Sequence, residues 1–103
     1  MVNIITYIKD NYAKSFSLKE LATRCGLNPS YFSRAFKQAT GMPLFTFLNH
    51  LRVQKACMLL KRSNMPIIEV AYAVGYNNLS FFNRYFLKII KMSPRDYKKY
   101  IQK

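Results

Sequence analysis

Apolar residues along this chain recur every three or four positions, and no stretch sustains the strict alternation of a half-buried strand. Ile4, Ile5, Ile8 and Tyr12 make the first stripe and predict a helix from about Asn3 to Tyr12. Ser17-x-x-Glu20 has the form of a capping box, in which each side chain satisfies a backbone N–H left open at a helix start. It opens a short helix with Leu18, Leu21, Ala22 and Cys25 inward, stopped at Gly26. Asn28 then caps a third helix, with Pro29 at its first position, running to about Ala39 and ending at Gly41. A longer helix from near Pro43 to about Arg62 carries Leu44, Phe47, Leu48, Leu51, Ala56, Leu59 and Leu60 on its apolar positions. Ser63, Asn64 and Pro66 break it. Ile67 to Val74 forms a short helix stopped at Gly75, Leu79 to about Ile90 another, and Ser93-Pro94-x-Asp96 opens the last. The expected fold class is all-α, with seven helices.

The two halves repeat. A shift of 49 residues matches Glu20 to Glu69, Ala22 to Ala71, Gly26 to Gly75 and Asn28 to Asn77. A shift of 50 then matches Ser30 to Ser80, Phe32 to Phe82, Arg34 to Arg84, Phe36 to Phe86 and Met42 to Met92, with one extra residue around Asn78. Leu18/Ile67, Leu21/Val70, Cys25/Val74, Tyr31/Phe81 and Phe47/Tyr97 fill the gaps conservatively. Each repeat is a short helix, a glycine-containing turn and a second helix, the helix-turn-helix layout whose second helix can enter a DNA major groove. Ala22 and Ala71 sit where the helices approach closely, and Gly26 and Gly75 where the turn needs positive φ.

The second helix of each repeat has two faces. Phe32, Ala35, Phe36 and Ala39 make the core stripe of the first, leaving Ser30, Ser33, Arg34 and Lys37 outward. Phe82, Phe86, Ile89 and Ile90 make that of the second, leaving Ser80, Asn83, Arg84 and Leu87 outward. Arg suits guanine bidentately and Asn suits adenine, so Ser30, Ser33, Arg34, Ser80, Asn83 and Arg84 are the candidate base readers. Lys37, Lys88 and Lys91 are candidate phosphate contacts. Leu87 replaces Lys37 and either touches a thymine methyl or is partly buried. Tyr31 and Phe81 are expected to pack.

The charge supports a polyanionic partner. Lys and Arg number 17 against 4 Asp and Glu in 103 residues, a net charge of +13. Residues 1–50 carry six cations and two acids, and residues 51–103 carry eleven and two. A surface of this sign repels itself unless it meets a polyanion: nucleic acid first, an anionic membrane second and acidic protein a distant third. The longest stretches without Asp, Glu, Lys or Arg, 38–51 and 70–83, fall short of the roughly 20 apolar residues that a membrane helix needs. With 50% hydrophobic residues the chain also lacks the composition of disorder. Cys25 and Cys57 stand apart and read as small buried hydrophobes in a reducing cytosol. His50 is the only histidine, and Asp10, Glu20, Glu69 and Asp96 are the only carboxylates. Neither catalysis nor a metal or cofactor site finds its residues here.

The first repeat, Ser17-Leu18-x-x-Leu21-Ala22-x-x-x-Gly26, followed by Phe32-x-Arg34-x-Phe36 and Gly41, resembles the DNA-binding domain of the AraC/XylS family of bacterial transcription regulators. So do Ile67-x-Glu69-Val70-Ala71-x-x-x-Gly75-Tyr76, Phe82-x-Arg84-x-Phe86 and Ser93-Pro94-x-x-Tyr97, and the resemblance covers about residues 3–100. It implies two homeodomain-like subdomains in tandem, about 1–42 and 63–103, joined by the linker helix at about 43–62. Recognition helices at about 29–39 and 79–90 would then read successive major-groove segments. By position, the DNA-facing residues are Pro29, Ser30, Ser33, Arg34 and Lys37, then Leu79, Ser80, Asn83, Arg84 and Lys88. The implied partners are double-stranded operator DNA, RNA polymerase and an upstream sensor or receiver domain in a longer cytoplasmic parent chain; the chain is then either a small stand-alone regulator or, as the resemblance favours, the C-terminal output domain of such a parent. The family usually has Gly where this chain has Lys91, which implies a different helix termination and an added phosphate contact. Two other readings compete: a sequence-blind nucleic-acid-coating protein, and an adaptor whose second repeat binds a protein through Leu87.

Overall fold

The computed structural model describes residues 1–102. Its helices are α1 (Val2–Asp10), α2 (Leu18–Arg24), α3 (Pro29–Thr40), α4 (Leu44–Arg62), α5 (Ile67–Ala73), α6 (Leu79–Ile90) and α7 (Pro94–Ile101), with no strand among the described residues. The chain divides into two compact units, Met1–Asn49 and a second beginning at His50, and the division falls inside α4.

Local chemistry sets the helix ends. Ser17 accepts from the Glu20 N–H at 3.0 Å, Asn28 from Tyr31 at 2.8 Å, Asn78 from Phe81 at 3.0 Å and Ser93 from Asp96 at 3.0 Å. Each such cap contributes about 1 kcal/mol to its helix. α1 stops at Asp10 rather than Tyr12, because the Asn11 side-chain amide donates to the Tyr7 carbonyl at 2.9 Å while the Asn11 backbone N–H turns to Ile8.

The two turns close alike. Gly26 and Leu27 donate to the carbonyls of Thr23 and Ala22, and Gly75 and Tyr76 to those of Tyr72 and Ala71, at 3.0–3.1 Å. This is the Schellman arrangement, which needs a left-handed residue after the cap. Gly26 at φ 69° and Gly75 at φ 109° supply it. The repeat correspondence therefore holds at 49 through Leu27/Tyr76. Asn28, however, is matched in role by the cap Asn78 and not by Asn77, so Asn77 is the extra residue.

The first unit buries Ile4, Ile8, Leu21, Ala22, Phe32, Phe36, Leu44 and Leu48. The second buries Val53, Ala56, Leu60, Val70, Ala71, Val74, Tyr76, Phe82 and Phe86. Aromatic geometry repeats as the sequence does. Phe36 meets Phe47 edge-on at 5.4 Å, and Phe86 meets Tyr97 edge-on at 5.5 Å. Truncating any of the four buried phenylalanines to alanine costs about 3–5 kcal/mol. α4 closes the first unit with Leu44, Phe47 and Leu48 and opens the second with Val53, Ala56 and Leu60.

Further expectations are corrected. Ala39 is exposed and not part of the α3 core stripe, and Val53, unremarked in the pattern, is fully buried. Cys25 and Cys57 are half-buried free thiols rather than core residues. Cys25 is the cap residue of α2, at the surface end of its helix. Burial still pushes the Cys57 thiol up, against the lowering effects of a hydrogen bond with Tyr97 and of nearby Lys61, so it is no activated nucleophile. Finally, Lys91 does not terminate α6 differently from a glycine. It takes the left-handed conformation itself, at φ 70° and ψ 15°, as Gly41 does after α3 at φ 81° and ψ 0°.

Candidate nucleic-acid interface

In the first unit, α2 packs against α3 and the Phe32–Phe36–Phe47 cluster locks the inner face of α3. That leaves Ser30, Ser33, Arg34 and Lys37 on the opposite face, at the i, i+3, i+4, i+7 spacing of one helical row. Ser30, Arg34 and Lys37 are exposed, Ser33 is half-buried, and Pro29 is exposed at the first helical position. Beyond them, the Thr40 hydroxyl donates to the Phe36 carbonyl at 2.9 Å and accepts from the Met42 N–H at 3.2 Å, finishing the helix before its left-handed Gly41.

In the second unit, α6 packs against both α5 and α7, with Phe82 and Phe86 inward. Ser80, Asn83, Arg84, Leu87, Lys88 and Lys91 are all exposed, and Leu79 is half-buried. Leu87 is 53% exposed.

Tyr31 and Phe81, expected to pack, stand outward at 53% and 47% exposure. Each lies one residue before an inward phenylalanine, which turns it off the core row. The Arg84 guanidinium carbon sits 5.4 Å from the centre of the Phe81 ring. A cation over an aromatic face has its orientation restricted without being neutralised. Phe81 therefore serves as a platform for the charged end of Arg84.

Sequence reading assigned no role to Arg52 and none to Tyr76 beyond the family motif. Tyr76 follows the turn glycine, is buried, and lies 5.5 Å from Phe82 and 6.4 Å from Tyr85 of α6, stacked on the latter. The Arg52 guanidinium lies 5.5 Å over its ring. Burial lowers the Arg52 pKa and pushes Tyr76 up to about 12, although Arg52 itself pulls the tyrosine down. Tyr76 is the wedge that sets α6 against its turn, where the first unit uses the smaller Leu27. The signal was an aromatic residue directly after the turn glycine.

The outer faces are cationic. Between residues 79 and 95 stand Arg84, Lys88, Lys91 and Arg95 and no acid. No helix among the described residues is long and apolar enough to cross a membrane.

Residues 21–100 match a helix-turn-helix domain family of AraC type. The MmsAB operon regulatory protein of Pseudomonas aeruginosa is 30% identical over 96 residues, covering 93% of this chain and 31% of that protein. This chain spans about a third of the length of most of the curated relatives it matches. The C-terminal domain of AraT, a response regulator from Geobacillus stearothermophilus, superposes with a TM-score of 0.91 at 30% identity, over 96% of this chain and 83% of that one. The DNA-binding domain of AdpA, solved with a target DNA, shares the fold at a TM-score of 0.94 and 24% identity, over 98% and 91% of the two chains. Two helix-turn-helix units with duplicated glycine turns, caps and phenylalanine pairs, and a family match over residues 21–100, lead to one conclusion: this chain belongs to the AraC-type helix-turn-helix family.

Proposed function

We propose that the chain is a sequence-specific reader of double-stranded DNA that regulates transcription, each unit laying its second helix, α3 or α6, into the major groove. The observation that carries this reading is the recurrence of an exposed arginine at one repeat position, Arg34 and Arg84, flanked by short polar side chains and backed by a buried phenylalanine pair. Arginine pairs bidentately with guanine, serine serves either base type, and Asn83 suits adenine. Ser30, Ser33, Arg34, Ser80, Asn83 and Arg84 are the base readers. Pro29, Lys37, Leu79, Lys88 and Lys91 face the DNA beside them, the lysines holding phosphates. The family is not one of enzymes.

A longer regulator supplies the rest: a sensor or receiver domain ahead of this one, and contact with RNA polymerase in the cytoplasm. The likeness to the C-terminal domain of a response regulator supports that arrangement. Selection from a randomised duplex library at near-physiological salt tests the reading. Two enriched blocks are expected, one for each unit. Tight binding with no enriched bases would instead establish the sequence-blind coating protein.

A further inference from the structure

Superposing the repeats by their shift of 50 residues places Pro29, Ser33 and Lys37 of α3 against Leu79, Asn83 and Leu87 of α6. These positions are four apart and form one outward row along each helix. The first row runs proline, serine, lysine and ends in a cation, whereas the second has an asparagine between two leucines. Leu87 is 53% exposed, so packing does not account for it. With Leu79, Asn83, Ile67, Pro94 and Arg95 it lines an apolar hollow of about 420 Å³ on the surface of the second unit.

We propose that this row makes the second unit a reader of A·T pairs, with Leu87 and Leu79 against thymine methyl groups and Asn83 on an adenine. The inference rests on the DNA-reading function above and extends it to the identity of the bases. Charge selects the occupant. Arg95 lines the hollow, and α6, which supplies Leu79, Asn83 and Leu87 to it, also carries the exposed Arg84 and Lys88 and no acid, so the favoured partner is a polyanion. Within the major groove, the C5-methyl of thymine is the apolar group that a polyanion presents. Its partner base, adenine, offers the N6–N7 edge that an asparagine amide matches. An apolar protein segment would have to approach this cationic helix without the compensating charge that DNA carries. The first unit, with Ser33 and Lys37 in the same row, makes no methyl contact there and reads through Arg34.

The test begins with the best duplex recovered from the randomised library. In it, thymines of the second block are replaced one at a time by deoxyuridine, which removes the methyl alone. Binding is followed by fluorescence anisotropy for the wild type, Leu87→Ala and Leu87→Lys. Wild-type affinity should fall about three- to fivefold for at least one thymine, the effect of one methyl group leaving an apolar contact. Leu87→Ala should bind the thymine duplex correspondingly more weakly and be indifferent to the same replacement. Leu87→Lys should also ignore the methyl and gain salt dependence, as a copy of the first row would. Because Leu87 is half exposed, neither variant threatens the fold, and circular dichroism verifies this. A second block without A·T pairs, or one whose thymine methyls are all dispensable, overturns this proposal and leaves the DNA-reading function standing. A library without any motif overturns both.

Discussion

Replacing Lys91 by glycine should stabilise the protein while weakening its hold on DNA. Lys91 holds φ 70° and ψ 15° at the end of α6, and its N–H donates to the Leu87 carbonyl at 2.9 Å. A residue with a Cβ in this conformation crowds the following carbonyl, at a cost of roughly 1–2 kcal/mol. Glycine relieves the crowding but adds roughly 0.4–1 kcal/mol of chain entropy to the unfolded state. Losing an exposed cation beside the helix C-terminus removes about 0.3 kcal/mol more. The strain term wins narrowly, leaving a net gain of about 0.5 kcal/mol, or a rise in midpoint of about 2–4 °C for a chain of this size. The matched reverse change is Gly41→Ala, at φ 81°. A Cβ there meets nothing within 4 Å, so only the backbone conformation opposes it, and the expected loss is about 1 kcal/mol. Denaturant unfolding followed by circular dichroism reads both, and affinity against salt concentration reads the phosphate contact, whose loss lowers the slope by about one. A Lys91→Gly protein less stable than wild type, beside a Gly41→Ala protein of unchanged stability, would refute the strain argument at both helix ends.

Arg34→Ala should cost about 1–3 kcal/mol on the selected site and little on random duplex, whereas equal losses on both would mean that Arg34 holds only phosphate. Lys37→Ala should reduce affinity on all sequences alike and lower the salt slope by about one; an unchanged slope places Lys37 off the duplex. Tyr76 is held neutral in the fold, its pKa pushed up by burial from 10.0 to about 12. Its contribution to stability is therefore complete below pH 10 and is lost as pH climbs towards 12, amounting to roughly 2–3 kcal/mol. Unfolding free energies measured from pH 9 to 12 should show this fall, and Tyr76→Phe should flatten that part of it; an unchanged slope in the variant would place the titrating group elsewhere.

The features legible in the sequence are those decided within four or five residues. Ser17, Asn28 and Ser93 are small acceptors just before helical periodicity, and all three cap. Phe32, Phe36, Phe82 and Phe86 announce the inner faces by size and spacing. Failures occur where two local solutions compete or where the environment is set from further away. Asn77 and Asn78 are equally able to cap, and only the closure at Tyr76 decides between them. Val53 follows Leu48 by five, breaking the three-or-four rhythm, because α4 passes from one unit's core to the other's. Tyr31 and Phe81 illustrate a different failure: aromatic rings default to burial, yet a single position's rotation around the helix puts them outside. Lys91 shows that a left-handed helix end, closed by its N–H on the Leu87 carbonyl, can be taken by a residue whose type does not announce it. The outward row was visible in the sequence, but the exposure of Leu87 and the hollow beside it required the fold.

The extra residue at Asn77 bears on how two halves of one gene product can drift apart. In each turn the preceding helix is shut off by its own glycine, and the following helix is started by its own asparagine. Between the closing residue, Leu27 or Tyr76, and the capping asparagine, the chain belongs to neither helix. A codon gained there lengthens the slack and disturbs neither helix, so the halves could slip from an interval of 49 to one of 50 without passing through a misfolded ancestor. Insertions within α3 or α6 would have no such refuge, since every residue beyond them would rotate off its face. Length variation among descendants of this arrangement should accordingly collect between the glycine and the asparagine, leaving the helices themselves to diverge only by substitution.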